Sequence, residues 1–319
     1  MKQLFFFLLL VFSYSSGAQN FAKVENSVNN YPRFSSAKNL ANQIQKDFNS
    51  DENKAYAAFY WLAKNIRYNL KEFYNPKPRS FNFSYSSEEE KEQKLQNLKD
   101  ELVSKAFRNK TGVCEEYAQA FKKVGDLLGL ETEVITGNVR ISGEEIGVIP
   151  QNSNHAWNAV KLNNKWIILD ATWAAGYENN GKWIRDFNSY FWNIPADNIF
   201  KTHLPEDSLW ILRFGRISKE EFYNQPIYNQ KFLNYDLTLV SPLKGIIDIS
   251  KNDTIQLKIK NLHNKKVIYL YEGQQYAKKP SITLKGDISI LTFKNPQRNS
   301  LLYVFIENEL ALEYKVIIN

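Results

Sequence analysis

The chain has 319 residues, with 41 Lys and Arg against 34 Asp and Glu, and a formal net charge of +7. Its hydrophobic fraction of 43% supports a sizeable core and excludes wholesale disorder, and its length suits two domains of roughly 100–200 residues each. With one Cys and three His, the sequence excludes a disulfide scaffold and a zinc site of paired cysteines, and we expect neither a metal nor another cofactor.

The first 18 residues have the pattern of a secretory signal peptide. Lys2 supplies a positive start, residues 4–12 form an unbroken apolar run, and residues 16–18 (SGA) are the small residues of a cleavage site. The apolar run is too short to span a bilayer, and no later stretch is longer. We therefore expect an exported protein, periplasmic or extracellular, without a transmembrane anchor.

The next part of the chain is predicted to be mainly helical. Residues 19–35 are polar and irregular, which predicts a loosely held N-terminus. Apolar residues at three- and four-residue steps predict helices over 53–68 and 88–107. Between them, residues 71–87 contain two Pro and many turn formers, so a long loop is predicted there.

A third helix, followed by strands, is predicted in the middle of the chain. The helix covers residues 113–128 and has Thr111 as its N-cap. Alternating residues over 131–137 predict a strand. Two further strands, 155–162 and 165–172, are separated by two Asn residues, which tolerate positive φ and suit a two-residue hairpin turn.

The character of the sequence changes at about residue 231. Short β-rich runs separated by Gly, Pro, Asn and Asp predict a small antiparallel sandwich over 231–319, of the immunoglobulin-like type. Residues 19–230 would then form a separate α+β domain. The sequence thus predicts a signal peptide at 1–18 and two domains.

The one cysteine, Cys114, lies in the first turn of the third predicted helix. At that position the helix dipole and the unpaired backbone N–H groups favour a thiolate. A lone cysteine is also often a small buried hydrophobic residue. The position by itself therefore leaves a reactive and a structural role open.

The predicted hairpin brings a histidine and an aspartate to one face. With a two-residue turn, Trp157 lies opposite Asp170. By the same register His155 lies opposite Thr172, so His155 and Asp170 become diagonal neighbours within reach of a hydrogen bond. A carboxylate on one ring nitrogen fixes the tautomer and leaves the other nitrogen free to accept a thiol proton. A satisfied structural histidine is the alternative for His155.

Several segments resemble a known family. The core motifs of the transglutaminase-like superfamily are similar to residues 112–114 (GVC), 154–158 (NHAWN) and 166–173 (WIILDATW). The helix at 55–68 is similar to the helix that precedes the catalytic core in that superfamily. Residues 190–192 (YFW) and 202–210 (THLPEDSLW) resemble a segment of its kyphoscoliosis-peptidase branch. The resemblance covers about residues 50–225.

This resemblance implies a fold and a set of roles. The fold is α+β, of the transglutaminase-like and papain-like type, followed by the predicted sandwich. Cys114 would be the nucleophile, His155 the general base and acid, and Asp170 the carboxylate that orients the imidazole. A retained fold without activity is the alternative, because members of the superfamily also serve as binding modules.

One departure from the family concerns the oxyanion. Cross-linking relatives in animals use an upstream Trp to hold it, and no Trp lies between Trp61 and Cys114. The backbone N–H of Cys114 can be one donor, and Tyr68 is the candidate for the other. Trp157, on the predicted face of His155, is a candidate for the wall of the substrate cleft.

Other residues of interest are predicted to be structural. His203 is expected to pack near the core, and His263 is expected to lie exposed in a turn. Trp157, Trp166 and Trp173 are interpreted as core aromatics, and the wall of the substrate cleft is the alternative for Trp157.

Two classes of function fit these observations. The first is an exported cysteine peptidase or amidase that forms an acyl-thioester on Cys114 with a protein or peptide substrate and passes the acyl group to water. Transfer to an amine is less favoured, since nothing marks a water-excluding tunnel and no acidic cluster indicates calcium control. The second class is a catalytically silent binding or scaffold protein. Nucleic-acid binding is disfavoured because basic residues do not cluster, and the sequence leaves the oligomeric state open.

Overall fold

A computed structural model describes residues 21–76 and 84–319. The predicted signal peptide and part of the predicted loop at 71–87 therefore lie outside the described residues. Within the described ranges, no helix combines the length and the apolar character that crossing a bilayer requires.

Helices and strands are interspersed up to residue 234, and the elements after it are all strands. The helices are α1 (Ala22–Asn29), α2 (Ala37–Asp47), α3 (Asp51–Asn65), α4 (Leu70–Tyr74), α5 (Glu88–Asn109), α6 (Cys114–Leu127), α7 (Ala171–Ala174), α8 (Ile199–Thr202), α9 (Lys219–Tyr223) and α10 (Gln230–Asn234). The first nine strands are β1 (Arg67–Tyr68), β2 (Thr111–Gly112), β3 (Thr132–Val139), β4 (His155–Leu162), β5 (Lys165–Leu169), β6 (Gly176–Asn179), β7 (Lys182–Arg185), β8 (His203–Pro205) and β9 (Ile227–Tyr228). The remaining strands are β10 (Thr238–Ser241), β11 (Ile246–Ile249), β12 (Ile255–Lys260), β13 (Val267–Tyr271), β14 (Ser281–Lys285), β15 (Ile288–Phe293), β16 (Ser300–Ile306) and β17 (Glu309–Ile318).

The three long predicted helices are present as α3, α5 and α6, with differences at their ends. α3 stops at Asn65, and β1 follows it and pairs in parallel with β2. Thr111 is not the N-cap of α6, because it lies in β2 opposite Arg67. The helix begins at Cys114 after Val113, whose backbone N–H donates to the Glu116 carboxylate over 3.0 Å.

The N-terminal segment is not loosely held, contrary to the prediction for residues 19–35. Its described part forms α1, in which Val24 and Val28 share one face and are buried. The hydroxyl of Tyr56 on α3 donates to Glu25 over 2.5 Å, and a further bond links α3 to the end of α1. Two buried apolar residues four positions apart, together with these hydrogen bonds, dock this short helix on α3, although the segment is polar overall.

The hairpin of β4 and β5 has the predicted turn. Asn163 and Asn164 have φ angles of 50° and 61°, the left-handed conformation that a tight hairpin turn requires. Leu162 pairs with Lys165, as the two-residue turn predicts. β4 and β5 form one half of a four-stranded antiparallel sheet of order β5-β4-β3-β8, and α6 packs on β3 and β4.

The far end of this hairpin differs from the prediction. β5 stops at Leu169, and Asp170 becomes the N-cap of α7, where it accepts the backbone N–H of Thr172. The predicted pairs of Trp157 with Asp170 and of His155 with Thr172 are therefore wrong. A buried carboxylate that can bind the first N–H groups of a helix competes with the ladder and ends the strand.

Gly137 on β3 is the point where three strands come close together. It pairs with His155 on β4 and with Pro205 on β8. A Cβ at this position would lie 2.3 Å from the carbonyl oxygen of Leu204 and 2.5 Å from the Trp157 ring. Only glycine fits, and its missing side chain lets β8 and the indole approach each other across β3.

The C-terminal strands form two sheets around a second core. One sheet has the order β10-β12-β15-β14 and the other the order β11-β17-β16-β13. Alternate residues of β12, β13, β15 and β16 are buried between them. The predicted antiparallel pattern holds except for β11, which runs parallel to β17. The division of the chain near residue 231 stays a prediction.

A strand pairing and a buried carboxylate are among the contacts that join this region to the preceding part of the chain. β9, which precedes residue 231, pairs with β17. The buried carboxylate of Glu313 on β17 accepts the backbone N–H of Gly143 over 2.8 Å and the side-chain amide of Asn229 over 3.0 Å. The β17 strand is thus shared between both parts.

The hairpin turn gives a stability prediction. Asn164→Ala should lower the free energy of unfolding by about 1 kcal/mol relative to Asn164→Gly, because residues other than Gly and Asn are strained at positive φ. Urea denaturation of both variants measures the difference. Lys165→Ala, at the exposed neighbouring position, is the control and should stay within about 0.5 kcal/mol of the parent protein. Equal stability of the Ala and Gly variants would contradict the prediction.

Candidate active site

Cys114 is the first residue of α6 and is partly exposed. The first N–H groups of a helix have no partner within the helix, so the Cys114 backbone N–H is available to a ligand. Two bonds fix this end of α6. The Tyr117 hydroxyl donates to the carbonyl of Ile66 over 2.6 Å, and the Asn158 amide donates to the carbonyl of Ala118 over 3.0 Å.

His155, at the start of β4, contacts both Asp170 and Cys114. Its Nε2 lies 2.6 Å from Oδ2 of Asp170, and both residues are buried. The side chain of Cys114 lies close enough to the same imidazole to raise its pKa. Since Nε2 is engaged by the carboxylate, Nδ1 is the nitrogen left free for the thiol. The structure therefore brings Cys114, His155 and Asp170 together in that order.

The charges in this group support one another. Burial disfavours a charged imidazole, but the Asp170 carboxylate and the Cys114 side chain outweigh burial and raise the pKa of His155 well above its ordinary value. Burial also opposes the Asp170 anion. His155 and then His203 outweigh that effect and hold the pKa of Asp170 well below its ordinary value. Both shifts favour an imidazolium beside a carboxylate.

His203 is the residue of the site that sequence reasoning missed. It was predicted to pack near the core, and it is fully buried, but its Nε2 also lies 3.1 Å from Oδ2 of Asp170. β8 carries it to this position by pairing with the end of β3, where His203 lies opposite Val139. The motif at 202–210 pointed to this segment of the sequence. The position of His203 beside Asp170, however, depends on the pairing of β8 with β3, two strands that are far apart in sequence.

His155, Asp170 and His203 offer ligand atoms within 4.8 Å of one another. Such spacing occurs in metal sites, but here the groups satisfy each other directly. Oδ2 of Asp170 is within 3.1 Å of both imidazoles. We interpret the three side chains as a hydrogen-bonded cluster, and the expectation that the protein uses no metal stays a prediction.

Tyr68 lies near Cys114. β1 places it opposite Gly112 of β2, two residues before Cys114. Burial, followed by the negative charges of Cys114 and Asp170, raises the pKa of Tyr68. Its phenol is therefore protonated and can donate a hydrogen bond. The ring also packs on Trp183 of β7, with 5.2 Å between centroids.

Trp157 is a core aromatic, as interpreted, and it does not line an open cleft, contrary to the second expectation. It is 1% exposed and packs in the core, where its ring stacks on His155 at 5.8 Å and meets His203 at 4.9 Å. Trp157 therefore packs against both imidazoles on their core side. His263 is exposed, as predicted, while Trp166 and Trp173 are partly buried at the edge of the core.

Residues 38–171 match the family model of the transglutaminase-like superfamily. The chain thus contains a transglutaminase-like domain, followed by a region rich in antiparallel strands. It is similar to the kyphoscoliosis peptidase of Homo sapiens, with 21% identity over 238 residues that make up 74% of this chain and 33% of that protein. It therefore spans about a third of the length of this relative.

Two further similarities were found. Hillarin of Drosophila melanogaster is 29% identical over 138 residues, which are 39% of this chain and 17% of that protein. Among solved structures, the crystal structure of a TGase aligns with a TM-score of 0.30 and 16% identity, and the alignment covers 55% of this chain and 37% of that chain.

The pair of His155 and Asp170 predicts how stability depends on pH. The raised pKa of His155 means that its stabilisation is fully present below its ordinary pKa of about 6.5 and is lost as pH rises toward about 10. The lowered pKa of Asp170 keeps that carboxylate charged above about pH 4. The melting temperature of the parent protein should therefore exceed that of His155→Gln most between about pH 4 and 6.5.

Thermal denaturation at four pH values from 4.5 to about 9.5 measures this difference. His263→Asn is the control, since it removes an exposed histidine from a turn where φ is positive and where Asn is tolerated. Its melting temperature should follow that of the parent protein throughout. A gap for His155→Gln that stays constant across the range would contradict the ion pair.

Proposed function

We propose that this protein is a thiol hydrolase that attacks an amide carbonyl with Cys114 and passes the acyl group to water. The observation that carries the proposal is the ordered contact of Cys114 with His155 and of His155 with the buried Asp170. The same three positions were selected from the sequence. The name of the human relative includes peptidase activity, which supports hydrolysis by analogy.

The proposed reaction has two halves. In the first, Nδ1 of His155 holds the thiol proton while Sγ of Cys114 forms a bond to the carbonyl carbon, and the imidazolium then gives that proton to the departing amine as the C–N bond breaks. In the second, His155 takes a proton from water, the hydroxide adds to the thioester, and the C–S bond breaks. The products are a carboxylic acid and the restored thiol. Asp170 stays ionised throughout and orients the imidazole.

Two donors are available to the oxyanion of the tetrahedral intermediates. One is the backbone N–H of Cys114, at the positive end of α6. We propose the phenol of Tyr68 as the other, because it is protonated and lies beside Cys114. This pair would replace the upstream Trp of the animal cross-linking relatives.

We also propose that the protein is exported, on the basis of the pattern in residues 1–18. A protein or peptide is the substrate class that the likeness to a peptidase supports.

Mutation of the nucleophile should remove turnover without unfolding the chain. We expect Cys114→Ala to be inactive and to keep the circular dichroism spectrum of the parent protein. His155→Ala should lose nearly as much activity, while Asp170→Asn keeps the nucleophile and the base and loses at most as much. Full activity of Cys114→Ala on any substrate that the parent protein turns over would overturn the mechanism.

Tyr68→Phe tests the second oxyanion donor. Acylation by p-nitrophenyl acetate should slow by about 10²-fold, the effect of removing one such donor. Alkylation of Cys114 by iodoacetamide should keep its rate, because that reaction forms no oxyanion. Loss of both rates would assign Tyr68 to the placement of the thiol, and loss of neither would remove Tyr68 from the mechanism.

The acceptor of the acyl group is tested with casein and a fluorescent primary amine, with and without calcium. We expect cleaved or deamidated casein in amounts that depend on Cys114, and little incorporated amine. Incorporation of the amine without hydrolysis would identify a transferase. If neither reaction occurs and iodoacetamide labels Cys114 no faster than glutathione, the chain is a binding or scaffold protein.

A further inference from the structure

Asp170 is shared by two histidines, and the proposed mechanism uses only one of them. We propose that His203 is a positioning residue that keeps Asp170 ionised and directed at His155. This inference rests on the proposed function, since it concerns the same site. The role follows from the geometry around Asp170, from the packing of the second imidazole and from its hydrogen-bonded neighbour.

Four N–H groups surround the Asp170 carboxylate. Its Oδ1 accepts the backbone N–H groups of Thr172 and Trp173, over 2.7 and 3.0 Å. Its Oδ2 lies 2.6 Å from His155 and 3.1 Å from His203. A carboxylate has about four acceptor positions, so this set satisfies the buried anion completely. His203 supplies the one bond that comes from neither α7 nor the catalytic imidazole.

The neighbour of His203 defines which of its nitrogens carries the proton. Nδ1 of His203 lies 2.7 Å from the hydroxyl oxygen of Thr202. An ionised Asp170 can only accept, so Nε2 of His203 must carry a proton, and the Thr202 hydroxyl can then donate to Nδ1. His203 is thus a neutral donor. Burial lowers its pKa, and the charge on His155 acts in the same direction.

His203 is also held rigidly. Its ring lies 4.9 Å from Trp157 and 5.0 Å from Trp173, and it has no exposed surface. A side chain packed in this way cannot follow a carboxylate that moves. The N–H of His203 is therefore fixed, and it holds Oδ2 of Asp170 where that oxygen also contacts His155.

The charged and titratable groups around Asp170 come from several elements. They are His155 on β4, His203 on β8, Cys114 and Tyr117 on α6, and Tyr68 on β1. The pKa values of both tyrosines are raised, and the cause in each case is burial first. Protonated phenols add no charge below pH 9, so His155 and His203 control whether Asp170 is ionised.

Removal of the His203 donor should weaken the contact of Asp170 with His155, so that the imidazolium stabilises a Cys114 thiolate less at low pH. The readout is the rate at which iodoacetamide alkylates Cys114 in the purified full chain, followed by intact mass from pH 4 to 9 and divided by its own maximum. In His203→Leu the acid limb of this profile should move up by about one pH unit, the effect of one lost hydrogen bond to a charged group. His203→Gln keeps an N–H near the position of Nε2, so its profile should match that of the parent protein.

The normalised profile separates positioning from packing. A side chain that only fills space would change the melting temperature and leave the profile in place, so an unmoved His203→Leu profile overturns the inference. Equal shifts for the Leu and Gln variants would also overturn it, because the donor would then not be the cause. One bound metal ion per chain that is lost in both variants would do the same, since the cluster would be a metal site.

A measurement on the parent protein covers the case in which His203→Leu does not fold. Nitrogen-15 NMR of the imidazoles should show His203 neutral at pH 7, with Nε2 protonated and Nδ1 bare. The opposite tautomer, or a doubly protonated His203, would overturn the inference. Failure of the proposed function looks different, since the parent protein's Cys114 would then be alkylated no faster than glutathione at pH 6.

Discussion

The site depends on the burial of a single carboxylate. Asp170 has no exposed surface, and an ion in such a position is stable only when its acceptor positions are filled. The N–H groups that fill them come from α7, from β4 and from β8. Three parts of the chain must therefore be in place before the charge can exist there. A charged Asp170 in turn favours the charged form of His155 next to Cys114.

The strands around Asp170 are arranged to meet this requirement. β5 delivers the carboxylate and ends there, because the side chain caps α7 instead of extending the ladder. Gly137 leaves space on β3 for Trp157 and β8 to approach each other. α6 packs on the same sheet and brings Cys114 to the end of the sheet at which β4 begins with His155. The contact of thiol and imidazole thus follows from sheet order as much as from the residues themselves.

Features set by neighbouring residues could be predicted from the sequence, and features set by distant ones could not. The repeat of apolar residues predicted α5, and two Asn residues predicted the turn and register of the β4–β5 hairpin. The end of that hairpin was wrong because the capping bonds of Asp170 compete with strand pairing, and periodicity does not report such competition. The role of His203 was missed because a long segment separates β8 from Asp170 in the sequence, and β8 reaches the site only by pairing with β3. Cys114, His155 and Asp170 were found together through their motifs.

The pairing of β9 with β17 has a consequence for how the chain unfolds. A strand that precedes the sandwich completes one of its sheets, and Glu313 accepts an N–H from the loop after β3. Melting of the sandwich would leave β9 as an unpaired edge and Gly143 without its acceptor. Melting of the transglutaminase-like part would leave the Glu313 carboxylate buried without its donors. The opening of either part therefore costs the other some of its hydrogen bonds, which couples the unfolding of the two. A protease that cuts near residue 231 would leave β9 on one fragment and its partner β17 on the other.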